Sequence, residues 1–169
     1  MPARPIVGVI GSGGPCAPEQ FQLAYDVGTY VAQRGAVLVC GGLGGIMEAA
    51  SRGAAENGGI VIGILPSTAK GDANPSVTIA VPTGLGIARN ALVVLTSDVL
   101  IAFQGAFGTL SEMAMALDSR KSVVTLPGAW DLRKAGNLQN ARIVEAFDAK
   151  QAVGMALGEI GRASTTNNP

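Results

Sequence analysis

The chain has 169 residues, enough for one domain whose core closes without disulfides or metals. Its 12 Lys plus Arg balance its 12 Asp plus Glu, so no long-range field draws it to nucleic acid or an anionic membrane, and any bound anion must be held locally. With no histidine and only two cysteines, the composition excludes a structural zinc site, a disulfide framework and nucleophile systems of the Ser-His-Asp or Cys-His kind.

Charged residues make up 14% of the chain and hydrophobic ones 48%, too few charges to cover a lone monomer, which predicts a homo-oligomer, a dimer or a tetramer. No apolar run reaches membrane-span length, and the amino terminus "MPARPIVGVIG" enters a strand directly. A cytoplasmic protein with no membrane partner is expected.

Short β-branched runs alternate with longer segments of helical period. "PIVGVIG", Pro5 to Gly11, reads as a strand buried on both faces. The loop "SGGPCAP" leads to a helix from about Glu19 to Gln33, with Phe21, Ala24, Val27 and Val31 on one stripe and Gly35 as its stop. A second strand, Ala36 to Cys40, exits through "GGLGG" into the helix "IMEAASRGAAENGG", which Gly58 and Gly59 end. Ile60 to Pro66 is the third strand; after a polar loop from Ser67 to Ser76, "VTIAV" reads as a short strand leading to Pro82. Gly86 to Asp98 has a helical pattern and Val99 to Phe103 is a strand, from whose end "QGAFGTLSE" opens the next helix. "SVVTL", Ser122 to Leu126, is a further strand; the polar stretch beyond the turn "PGAW" has no clear period, and "RIVEAF" reads as an edge strand. Asp148, with Gln151 three residues on, fits the N-cap of a terminal helix running to about Ile160.

Repeated strand, glycine loop and helix units require a Rossmann-like three-layer α/β/α fold with a mainly parallel sheet, wound right-handed. One domain is expected over residues 1–161, with a disordered tail over 162–169.

In such a sheet the ligand crevice lies outside the carboxyl ends of the strands, and three clusters fall there. They are Gly11, Ser12, Gly13 and Gly14; Gly41, Gly42, Gly44 and Gly45; and Gly105, Ala106, Phe107, Gly108 and Thr109. Glycine lets the backbone approach a ligand closely, and the free N–H groups opening the following helix favour phosphate. Neither G-x-G-x-x-G followed by an acid nor G-x-x-x-x-G-K-[ST] is present, so dinucleotide and P-loop readings are weak. One cluster alone is equally well explained by tight strand-to-helix packing. Three at one sheet edge favour a phosphate-bearing ligand.

Thr109-Leu110-Ser111-Glu112 also fits a capping box, in which the carboxylate bonds back to the threonine backbone. The other role for Glu112 is a carboxylate in the first helical turn, kept ionised by the helix dipole and placed to bind ribose hydroxyls or to stabilise an oxocarbenium-like centre. Arg89, early in its helix, is either a solvated surface arginine or an anion ligand. Cys16 and Cys40 either face the crevice or serve as small buried hydrophobes. Lys70, Lys121, Lys134 and Lys150 offer no obvious buried Schiff-base position, and Met113, Ala116 and Leu117 form a core or interface stripe. No metal-ligating set is expected.

Taken together, "CGGLGGIMEAASRGA", "GIARN" and "QGAFGTLSE" resemble the Lonely Guy (LOG) type of Rossmann superfamily, over most of the chain from about Pro5 to Leu126. That superfamily includes cytokinin-activating phosphoribohydrolases and molybdenum cofactor carrier proteins, and many relatives are called "possible lysine decarboxylase". In the hydrolases the pattern is P-G-G-x-G-T-x-x-E: the Gly-Thr loop holds the 5′-phosphate, and the glutamate, with an arginine from an upstream Arg-Lys pair, assists cleavage of the N-glycosidic bond. Gly105, Gly108, Thr109 and Glu112 match, while Gln104 replaces the proline, Ala106 a glycine, and Asn90 the lysine after Arg89. The resemblance implies, first, a carrier that binds the molybdenum cofactor, a phosphate-bearing pterin, as cargo at the glycine-rich edge. The alternative it implies is a nucleoside 5′-monophosphate phosphoribohydrolase with Arg89 and Glu112 as the catalytic pair. A nucleotide-sensing module without turnover is the third.

Overall fold

The computed structural model describes residues 3–134 and 142–166. Strands β1 (Ile6–Ile10), β2 (Val37–Cys40), β3 (Ile60–Leu65), β4 (Ile79–Pro82), β5 (Val99–Ala102), β6 (Val123–Thr125) and β7 (Ile143–Glu145) form a 7-stranded sheet. Its order is β4-β3-β2-β1-β5-β6-β7, and every neighbouring pair is parallel. Helices α1 (Pro18–Gln33), α2 (Ile46–Glu56), α3 (Asn90–Thr96), α4 (Phe107–Asp118) and α5 (Ala149–Thr166) cover it. The chain winds outward from β1 to β4 and then restarts on the other side of β1. Right-handed crossovers therefore put α1 and α2 on one face and α3 and α4 on the other, and α5 packs back beside α1. This is the Rossmann-like α/β/α architecture, with a fully parallel sheet.

The sheet separates two cores. Val7, Val9, Leu38, Cys40, Val99 and Ile101 face the side of α1, α2 and α5, whereas Ile10, Val39, Leu100 and Ala102 face α3 and α4. Since successive side chains alternate and both faces are covered, β2 and β5 are buried at every position and tolerate no polar alternation. On the first face α1 and α2 come into backbone contact at Gly28 and Gly53: a methyl group on either would sit 1.9 Å from a carbonyl oxygen of the other helix.

Two segments differ from the sequence expectations. Gly86 to Asp98 is not one helix: a 3-10 turn, Gly86–Arg89, precedes α3, which stops at Thr96. Ser97 is extended there, and both its N–H and its hydroxyl donate to the Val93 carbonyl. The Lys121 ammonium donates to the carbonyls of Val94, Leu95 and Ser97, closing the helix end. At the carboxyl terminus Asp148 does cap α5, its Oδ1 accepting from the Gln151 N–H at 2.8 Å. The helix, however, runs on to Thr166, so residues 162–166 of the expected disordered tail are helical. Arg162 donates to Glu159 one turn back at 2.8 Å, a pair the composition of "RASTTNNP" does not reveal. Residues 167–169 lie outside the described residues.

Candidate functional site

The winding reverses between β1 and β5, so the loops leaving these neighbours diverge to opposite faces and leave a crevice between them. A cleft of about 300 Å³ opens there. Ser12 ties its walls together: its N–H donates to the Gln104 carbonyl after β5, and its own carbonyl accepts from Ile46, the first residue of α2. One residue thus sets the relative height of the three glycine-rich loops. The approach is so close that at Gly45, whose φ is 62°, a Cβ would stand 2.4 Å from the carbonyl oxygens of both Ser12 and Gly14.

The second loop is held from below by a residue far away in sequence. Asn74 is buried; its N–H donates to the Gly42 carbonyl at 2.8 Å and its amide to the Leu43 carbonyl at 3.0 Å. The same amide reaches the Ser51 hydroxyl, which lies 3.5 Å from Cys40 Sγ, while Cys40 Sγ accepts from the Gly42 N–H. Cys40 is therefore a buried structural thiol, and burial pushes its pKa up.

The third loop enters α4 at Phe107, with Ala106 as the N-cap, so Thr109 is already inside the first turn. The capping box therefore does not form, and Glu112 stands in the second turn with its carboxylate free for another partner. Thr109 is buried, with its Oγ1 packed over Gly105, where a Cβ would lie 2.1 Å away. The Gly105 carbonyl accepts from Trp130 Nε1 at 2.9 Å, and the Trp130 ring stacks on the exposed Phe107 ring at 6.3 Å. None of the helices α1, α2 and α4, which start at this edge, has a side-chain cap on its N-terminus. Uncapped N-termini carry partial positive charge suited to an anion.

That partner of Glu112 is Arg89, which is only 7% exposed and so is not a surface arginine. Its Nη1 lies 3.8 Å from Glu112 Oε1 and donates to Asn90 Oδ1; its Nη2 donates to the Gly41 carbonyl at 3.4 Å, and its Nε has no partner. Asn90, standing where the hydrolase pattern has lysine, also reaches the Gly108 carbonyl at 3.5 Å through its Nδ2 and so links the guanidinium to the start of α4. Burial pushes the Glu112 carboxyl up to about 7, against the opposing pull of Arg89. Burial likewise lowers the Arg89 pKa. A buried cation with an unpaired N–H, facing a carboxyl that is easily neutralised, is prepared for an incoming anion.

Of the residues singled out in the sequence, Gly11, Ser12, Gly13, Gly41, Arg89, Asn90, Ala106, Gly108, Thr109 and Glu112 line this cleft. Gly42, Gly44 and Gly45 do not: they pack against Leu65 and the backbone of Gly13 and Gly14, supporting the loop instead. Phe107 points to solvent, and Gly105 faces a second, adjoining cavity. Gly14, the last residue of the first cluster, lines it too. The sequence reasoning overlooked Met47 on the walls and Asn74 beneath them; for Asn74 no local signal exists. Among the described residues no group of three or more His, Cys, Asp or Glu comes together, and no helix is long and apolar enough to cross a membrane.

The model of the SLOG cluster4 family matches residues 4–157. A protein of Archaeoglobus fulgidus described as uncharacterized is 46% identical over 120 residues, 71% of this chain and 78% of that one. Among solved structures, the molybdenum cofactor binding protein of the phototrophic bacterium Rippkaea orientalis is 40% identical, with a TM-score of 0.85 over 92% of this chain and 97% of its own. The molybdenum cofactor carrier protein of Chlamydomonas reinhardtii is 33% identical, with a TM-score of 0.81 over 94% of this chain and 99% of its own.

Proposed function

The chain belongs to the SLOG cluster4 family of the Lonely Guy superfamily, and from that premise we propose that it is a cytoplasmic molybdenum cofactor carrier, holding the phosphate end of its cargo in the cleft beside Arg89. The observation that carries this reading is the buried guanidinium whose Nε is left without a partner among glycine backbone groups and uncapped helix starts. A phosphate oxygen supplies the missing acceptor and a counter-charge. Full-length likeness to a molybdenum cofactor binding protein and to a carrier supports the choice of cargo. Purified protein incubated with released molybdenum cofactor is expected to retain molybdenum and phosphate in equal amounts through gel filtration. Arg89→Met is expected to reduce retention at least about tenfold, the loss of a charge-assisted contact. Equal retention by the variant, or none by the wild type, removes the reading.

A second reading, phosphoribohydrolase, is favoured by the survival of Arg89 and Glu112 as a buried pair. In it, water adds to C1′ of a nucleoside 5′-monophosphate while the N-glycosidic bond breaks, giving ribose 5-phosphate and the free base carrying the proton. Glu112→Ala should abolish release of adenine from AMP; undetectable adenine from the wild type rules the reading out.

The proposal includes assembly into a homo-oligomer through the layer of α3 and α4, where Ile87, Leu95 and Phe107 are exposed apolar side chains. Sedimentation should give a dimer or larger, and Leu95→Lys should shift it towards monomer.

A further inference from the structure

Arg89 and Glu112 are a buried cation and a buried carboxyl side by side, yet they do not touch. Nη1 and Oε1 stand 3.8 Å apart, about 1 Å beyond the length of a charge-assisted hydrogen bond. Something holds the guanidinium back. Both of its terminal nitrogens are engaged by neutral oxygens, Nη1 by Asn90 Oδ1 at 2.5 Å and Nη2 by the Gly41 carbonyl at 3.4 Å. Neutral acceptors leave the charge of Arg89 uncompensated, whereas a carboxylate in contact would quench it.

Asn90 is itself held in place for this role. Adjacent residues on a helix do not face each other. Here Arg89 closes the 3-10 turn, Asn90 opens α3, and the long arginine side chain folds back over its neighbour. Asn90 is only 6% exposed, and its amide fits one way round: Oδ1 faces the arginine donor and Nδ2 faces the Gly108 carbonyl at 3.5 Å. That carbonyl is anchored in turn, accepting from the Ser111 hydroxyl at 2.7 Å. Gly108, Ser111 and Glu112 all belong to α4. The helix that presents the carboxylate therefore also anchors the brace that keeps the cation off it.

We propose that Asn90 is a positioning residue acting through Arg89, a neutral brace that keeps the guanidinium out of contact with Glu112 and so leaves its charge available to an anion in the cleft. This rests on the reading of the cleft as an anion site and concerns what keeps that site open. Among the described residues, the titratable groups facing the guanidinium are Glu112 from α4 and Cys40 from β2. Burial raises Cys40, which stays a neutral thiol, so Glu112 is the competitor for Arg89. Removing the amide frees Nη1 beside the carboxylate, in a setting of low dielectric where a contact pair is hard to part.

The test is a double-mutant cycle on the full chain, with sulfate as the probe and binding read by calorimetry at pH 8. Asn90→Ala is expected to weaken sulfate at least about tenfold in the wild-type background. In the Glu112→Gln background, where no carboxylate remains to capture Arg89, the loss should shrink to about threefold or less. A residue that merely supports the fold, or that touches the anion directly, would cost the same in both. The pH profile is a second readout. The wild-type carboxyl titrates at about 7, and in Asn90→Ala the fall in sulfate affinity should move to lower pH, because contact with Arg89 favours the charged carboxylate. Asn90→Asp keeps an acceptor of the same shape but charges it. It should weaken sulfate at least about tenfold at pH 8 in both backgrounds. Equal losses from Asn90→Ala in the two backgrounds, an unmoved pH profile, or undiminished binding by Asn90→Asp would overturn the proposal while the anion cleft stands. If the wild type binds no sulfate, the cleft reading and the brace fall together.

Discussion

Glutamine in place of Glu112 is expected to raise the stability of the ligand-free protein at pH 8 by about 2–3 kcal/mol, a gain of roughly 5–10 °C in melting temperature for a chain of this size. Removing a carboxylate that lies beside an arginine would ordinarily be costly. Here the balance runs the other way, because burial outweighs the attraction of Arg89 at 3.8 Å and raises the carboxyl from its ordinary 4.5 to about 7. A raised folded-state value means that the native protein binds the proton more tightly than the unfolded chain. The resulting stability is fully present below about 4.5 and is lost as pH rises through about 7. Above 7 the wild type carries the whole cost of a buried anion, which the neutral isostere never meets. Anion binding moves in the same direction. With Glu112 ionised the pair is neutral; with it protonated, or replaced by glutamine, Arg89 leaves the cleft with one net positive charge. Sulfate, whose charge is constant in this range, should therefore bind the wild type more tightly at pH 6 than at pH 8. The variant should hold it at pH 8 about tenfold more tightly than the wild type, with little pH dependence. A wild-type affinity that is flat from pH 6 to pH 8, or a variant that melts lower than the wild type, would refute the electrostatic account of the site. The same variant separates the two functional readings, since a carrier gains from the change and a hydrolase that uses Glu112 loses turnover.

The sheet was legible because strands buried on both faces must be apolar throughout, as β2 and β5 are, and because glycines mark each turn into a helix. The convergence of the three glycine-rich loops followed from topology alone. What escaped the sequence depends on contacts between distant residues. Whether Arg89 is solvated or buried turns on Gly41, 48 positions away, whose missing side chain leaves room for the guanidinium: a Cβ there would lie 2.4 Å from Nη2. The capping-box pattern at Thr109 misleads because the N-cap of α4 is set three residues earlier, at Ala106, in a loop pinned by Trp130 and Ser12. Asn74 sits in a stretch that reads only as a polar loop, yet it carries the hydrogen bonds that hold Gly42 and Leu43. Local pattern thus located the site; long-range packing decided its charge state.

Gly53→Ala and Gly28→Ala are each expected to destabilise the protein by about 3 kcal/mol or more, lowering the melting temperature by roughly 10 °C. On propensity alone the change should help, since alanine is favoured over glycine inside a helix by about 1 kcal/mol. The opposing effect is the backbone contact between α1 and α2. A methyl at 53 would meet the Tyr25 carbonyl at 1.9 Å and one at 28 the Ala50 carbonyl at 1.9 Å, and a carbonyl in a helix cannot turn aside as a side chain can. The helices must separate by more than an ångström, loosening Ala24, Val27 and Val31 from Ala49, Ala50 and Ala54 along the whole seam. Gly154 and Gly158 on α5 supply the control, for nothing stands within 4 Å of an added methyl at either. Alanine there should leave stability unchanged or raise it by up to about 1 kcal/mol. The same substitution is thus predicted to act with one sign on α1 and α2 and the other on α5, and thermal melts of the four variants read it directly. If Gly53→Ala melts at or above the wild type, the close approach of α1 and α2 is wrong. The consequence then reaches the site, because α2 carries Ile46 and Met47 into the walls of the two cavities and takes its position from that seam.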